Sequence, residues 1–156
     1  MSDPTESGAR PWSAGPSAKA RNAVQRYVTA LLDELAPERV LTRGEQIRLP
    51  VEQHRTPSGC VLQAASAAVS VSWFAEATAE AELGELRVIV WKGVVSRRGS
   101  KRERATMVKE LVLHPVERRA EETLWRATDG TEYDTVALAA HCVALLEAQV
   151  RGNQNG

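Results

Sequence analysis

Histidine, cysteine and aromatic side chains are scarce in this chain: three histidines, two cysteines, one phenylalanine, two tyrosines and four tryptophans among 156 residues. No Cys-x-x-Cys, His-x-His or His-Glu-x-x-His spacing occurs, so no zinc site is encoded locally. A metal would need His54, Cys60, His114 and His141 to be brought together by the fold, and neither metal nor cofactor is expected. His141 and Cys142 are adjacent on a helix and point about 100° apart, so they do not share one small site. Gly-x-Ser-x-Gly elbows and glycine-rich phosphate loops are also missing. Glu80 and Glu82 sit beside Glu76 and Thr78 on one parity, which is the pattern of a solvated stripe rather than of paired catalytic carboxylates. The expectation is a protein without catalytic activity.

Net charge is absent too. Twenty basic and twenty acidic residues cancel, so no long-range field draws the whole molecule to nucleic acid or to an anionic membrane. The first residues, MSDPTESGARPWSAGPSAK, contain no apolar signal-peptide core, and no later run is long and apolar enough to cross a bilayer. Cys60 and Cys142 lie far apart, each within an apolar segment, as buried free thiols do in a reducing compartment. A cytoplasmic protein with no membrane partner is expected.

What is present suffices for one core: 43% of the residues are hydrophobic. Residues 1–16, rich in Ser, Gly and Pro, cannot offset their own ordering by burial and read as a disordered tail in which Trp12 is incidental. Residues 152–156 read as a flexible C-terminal tail, leaving a single domain over 17–151. From Ser17 to Ala36, Ala20, Val24, Tyr27, Val28, Leu31 and Leu35 recur at helical spacing, and Pro37 ends the helix. Ile47, Leu49 and Val51 alternate as a short strand that Pro50 assigns to a sheet edge, and EQHRTPSG supplies a turn. CVLQAASAAVS is compatible with the start of a helix.

The central segment is the most patterned. Val69, Val71, Trp73, Ala75, Ala77, Ala79 and Ala81 share one parity; Ser70, Ser72, Phe74, Glu76, Thr78, Glu80 and Glu82 share the other. A period of two predicts a strand despite the helix-forming alanines and glutamates. With a three-residue loop at Leu83–Glu85, Ala77 would face Trp91, Ala79 would face Ile89 and Glu76 would face Lys92 across a long hairpin. ATMVKELVLHPV and ETLWRAT give further strands, Asp129–Gly130 a turn, and Asp134 caps a last helix whose Val136, Ala140, Val143 and Leu146 form a core stripe. The predicted fold is α+β: an N-terminal helix, an antiparallel meander of about five strands with a long hairpin, and a C-terminal helix packed on the sheet.

Two surfaces carry the functional expectation. One is a face with Phe74, Val88 and Val90, flanked by Leu86 and Val94, which is more apolar than a wet sheet face needs; two helices cannot cover both faces, so a second copy is the expected cover. The other is the tip VVSRRGSKRERATMV, with Arg97, Arg98, Lys101, Arg102 and Arg104 and a single acid, Glu103. Its charge is opposite to that of the Glu80, Glu82 and Glu85 turn, which favours an antiparallel two-fold pairing. The leading expectation is therefore a non-catalytic protein-binding or scaffold module that acts as a homodimer or larger assembly through its sheet. A nucleic-acid-binding module using the arginine tip is the alternative, although no aromatic side chain sits there to stack on bases. A sheet curled around a pocket for a small apolar ligand is the third.

Overall fold

The structure is a computed structural model that describes residues 18–43, 47–76, 82–95, 105–119 and 122–155. Its elements are α1 (Ala18–Leu35), β1 (Arg39–Arg43), β2 (Ile47–Thr56), β3 (Gly59–Ala64), β4 (Ala67–Phe74), β5 (Glu85–Lys92), β6 (Thr106–Arg119), β7 (Glu122–Ala127), β8 (Glu132–Tyr133) and α2 (Thr135–Asn155). The strands form one eight-stranded sheet in sequence order, each antiparallel to the next. The α+β layering with a helix at each end is as expected; the strand count is eight rather than five. Helix α2 lies on β4 and β5 and also touches β1, β3, β7 and β8, which a sheet can allow only by curling around it; α1 packs on α2.

The added strands have local causes. β1 and β8 are only five and two residues long. β3 and β4 occupy the stretch that was compatible with a helix: Ala64 pairs Ala67, so a two-residue turn at Ala65–Ser66 divides it. That turn carries no glycine signal, and Ala65 instead takes the left-handed conformation itself, at φ 53°. EQHRT is strand rather than turn, since β2 runs to Thr56. Pro50 lies in the half of β2 that pairs β1 alone, while Glu52 to Thr56 pair β3, so its missing donor is placed where one side of the strand has no neighbour.

The long hairpin is shorter than its alternation implied. β4 ends at Phe74, which pairs Glu85, and Trp91 pairs Ala68, so the expected pairing of Trp91 with Ala77 is replaced. The observed register sets Val69 opposite Val90, Val71 opposite Val88 and Trp73 opposite Leu86, all buried. Pairing these large side chains buries more apolar area than pairing Trp91 and Ile89 with alanines, at ~25 cal/mol per Å². Residues 77–81 lie outside the described residues, as do residues 1–17.

The inner face is filled by the helices. Val24, Val28, Leu31, Leu32 and Leu35 of α1 and Leu138, Ala139, Cys142, Leu146 and Val150 of α2 are buried with the inward side chains of β3 to β7. The phase of α2 differs from the expected stripe: Val136 is 62% exposed and Ala140 is exposed, because the run on the sheet is Leu138, Cys142, Leu146 and Val150. Asp134 does cap the helix, its Oδ1 accepting from Ala137 N at 2.7 Å. The helix also continues through Asn155, across residues expected to be tail, and Asn153 Nδ2 donates to Ser66 O at 3.0 Å. Arg39 and Gln53 donate to the Leu35 carbonyl, closing the C-terminal end of α1. Among the described residues no helix is long and apolar enough to cross a membrane.

Trp73 and Trp125 meet edge to face at 5.9 Å, inside the curl. Gly84, at φ 113°, backs directly onto Trp73: a Cβ there would lie 2.6 Å from its ring and 2.7 Å from the Phe74 carbonyl oxygen. Gly84→Ala is therefore expected to lower stability by about 2–4 kcal/mol through backbone strain and overpacking, read as an earlier urea midpoint with unchanged slope.

Candidate functional site

The register sorts the sheet into cross-strand rows, and one parity of them faces away from both helices. Thr56, Gly59, Ser72, Arg87 and Val112 make one such outer row; His54, Val61, Ser70, Ile89 and Glu110 the next; Glu52, Gln63, Ala68, Trp91 and Met107 the third. Beyond them lie Phe74 and Glu85, then His114, Arg126 and Glu132. Small residues on β3 and β4 form a shallow floor. Trp91 lies across it, its Nε1 donating to Ser70 Oγ at 2.9 Å, which keeps Ser70 and Ala68 buried on the open side of the sheet. Over Gly59 the floor deepens into a depression of about 280 Å³ edged by His54, Thr56, Ser58 and Ser72. Glycine is required there, since a Cβ would lie 2.3 Å from the Val71 carbonyl oxygen.

This register corrects the expected interaction face. Val88 and Val90 share a face with Val69 and Val71, not with Phe74, and are 0% and 4% exposed under the helices. Phe74 alone of the three is on the surface, at 48%. It lies opposite Glu85, with Arg87 5.4 Å from its ring centroid, and shares the outer face with Ile89, Trp91, Val112 and Met107 farther along the strands. Met107 and Val108 are 53% and 52% exposed, and sequence reading missed them. They lie at the irregularity opposite Val90 and Trp91, where Val108 has no partner in the β5 register. Only the register could have revealed that.

The charged groups on the outer side of β5 to β8 are already engaged with one another. Arg87 Nε donates to Glu85 Oε2 at 2.6 Å, and Arg87 reaches Glu110 at 3.9 Å and lies 5.4 Å from the Phe74 ring centroid. Arg126 Nε donates to Glu132 at 2.9 Å. His114 Nε2 is 3.6 Å from Glu85 Oε1. The hydrogen bond from Arg87, assisted by His114, holds the Glu85 carboxyl below its usual range. The face is thus polar in composition but locally neutralised.

Arg97, Arg98, Lys101, Arg102 and Arg104 lie outside the described residues. The chain leading toward them is held by Gln63, which is 5% exposed. Its Nε2 donates to the carbonyls of Ala65, Ala67 and Gly93, and its Oε1 accepts from Val95 N. Among the described residues no three His, Cys, Asp or Glu side chains form a metal-binding group. The fold separates the histidines: His54 and His114 are on the outer face, whereas His141 stacks on Tyr133 at 5.1 Å, where burial lowers its pKa. Compared with protein-family models, with curated proteins and with solved structures, the chain finds no match.

Cys60 and Cys142 are both in the core, and burial pushes their pKa values up to about 11 and about 12. Because the thiolate is the reactive form, neither should react with a thiol reagent at pH 8 in the native protein on the minutes timescale, while both should react at once in denaturant; rapid native labelling of either would contradict this placement.

Proposed function

We propose that the chain is a non-catalytic protein-binding module that associates with a second copy of itself through the outer face of its sheet. The observation that carries the proposal is an asymmetry. The helices bury one face, and the other presents Phe74, Met107 and Val108 about half exposed among ion pairs already closed within the chain. Burying charges that have partners avoids the largest penalty of interface formation, the uncompensated desolvated ion.

The edges are poorer routes. Antiparallel self-pairing of β1 about Leu41 sets Arg39 opposite Arg43. The open edge of β6 carries Lys109 and Glu110, and self-pairing centred on either opposes like charges beside the irregularity at Val90 and Trp91.

Phe74→Glu combined with Met107→Glu tests the reading, since both side chains are exposed and the fold should survive, as an unchanged circular-dichroism spectrum would confirm. Light scattering is expected to give twice the chain mass for the wild type and the single-chain mass for the variant. A wild type that stays monomeric at the highest attainable concentration would sink the proposal.

A further inference from the structure

We propose that the depression over Gly59 is a binding site for a neutral saccharide, a role separate from self-association. It holds about 280 Å³. The register explains why it forms: Thr56, Gly59 and Ser72 stand in one row, so the residue without a side chain lies between two that carry hydroxyls. His54 and Val61 stand in the next row and Ser58 in the turn, completing the rim. The volume is just below the ~300–1,000 Å³ of pockets that enclose drug-sized ligands. It therefore suits one ring, or one unit of a longer chain, resting against the surface.

The polar groups of this rim differ from their surroundings in being uncommitted. Ser70 is bonded to Trp91, Ser66 to Asn153, and the charges of β5 to β8 close on one another. Among the described residues, the Ser58 and Ser72 hydroxyls and the His54 imidazole have no bonded partner, and Thr56 commits only its proton, to the Gly59 carbonyl at 3.3 Å. A hydroxyl donates and accepts, so this set meets the hydroxyls of a sugar in either sense. Ions fit less well. No carboxylate, lysine or arginine lines the depression; Arg55 is tied to Asp33, and Arg87, the partner of Ser72, to Glu85. A charged ligand would lose hydration without gaining a counter-charge. Val61 and the Gly59 backbone give an apolar floor, the complement of the C–H face of a pyranose ring. Ser70 is the β4 partner of Val61, so the indole that it holds stands one strand from the floor. The negative face of that indole attracts polarised C–H groups, which provides for a second, linked ring.

Saturation-transfer NMR on the full chain tests the site with maltose, cellobiose, lactose and N,N′-diacetylchitobiose, with inorganic phosphate as the competitor. Transfer to the ring protons of at least one disaccharide is expected, at a Kd of about millimolar, undisturbed by an equal concentration of phosphate. Ser72→Leu fills the depression and should abolish the signal. His54→Ala combined with Ser58→Ala alters only exposed side chains, so the fold is retained, and should weaken binding about tenfold. Phe74→Glu combined with Met107→Glu should bind as the wild type does, so the site stands or falls separately from self-association. Transfer to none of the four sugars, displacement by phosphate, or undiminished binding in both site variants would overturn the proposal.

Discussion

The pairing of Val69 with Val90, Val71 with Val88 and Trp73 with Leu86 is the constraint from which the rest of the molecule follows. Side chains alternate across a strand, so committing these to one side commits every neighbouring strand as well. Cys60, Leu62 and Ala64 must then face inward on β3, Leu111 and Leu113 on β6, and Trp125 and Ala127 on β7. Each fully buried Val or Leu contributes about 1.5–3 kcal/mol, and a slip of one residue would forfeit them together. Two amphipathic helices are enough to cover that one side. They leave the other to whatever Ser70, Trp91, Arg87 and Phe74 can arrange among themselves.

The outer side is kept in order by polar contacts rather than by bulk. Trp91 is pinned by its bond to Ser70, and Arg87 is held between Glu85 and Glu110 with its guanidinium over Phe74. Gln63 does the same at the end of the sheet: its one side chain satisfies backbone groups of the β3–β4 turn and of the segment that leaves β5. Such buried, fully used amides fix a geometry that apolar packing alone leaves loose.

Sequence pattern carried much of this architecture. The spacing of Val24, Val28, Leu31 and Leu35 located α1, Pro37 its end and Asp134 the start of α2; the strands around Val112 and Trp125 followed from alternation. The failures share a cause. Alternation reports that side chains take sides, but not which strand pairs where, so it set Trp91 opposite Ala77 rather than Ala68 and assigned Val88 and Val90 to the face of Phe74. The Ala65–Ser66 turn had no glycine to announce it, and the phase of α2 depended on contacts with the sheet that no helical wheel contains. The outer-face cluster of Glu85, Arg87, Glu110 and His114 comes from neighbouring strands and exists only once the register does.

Asn153 holds Ser66 across 87 positions of sequence, and α2 follows every strand of the sheet. While the hairpins form from neighbours, the oily side of β4 and β5 stays uncovered until the final helix arrives, so a nascent chain emerging from the ribosome presents Val69, Val71 and Val88 to its surroundings throughout synthesis. An intermediate that lacks α2 therefore carries bare apolar surface, the condition under which partly folded chains aggregate.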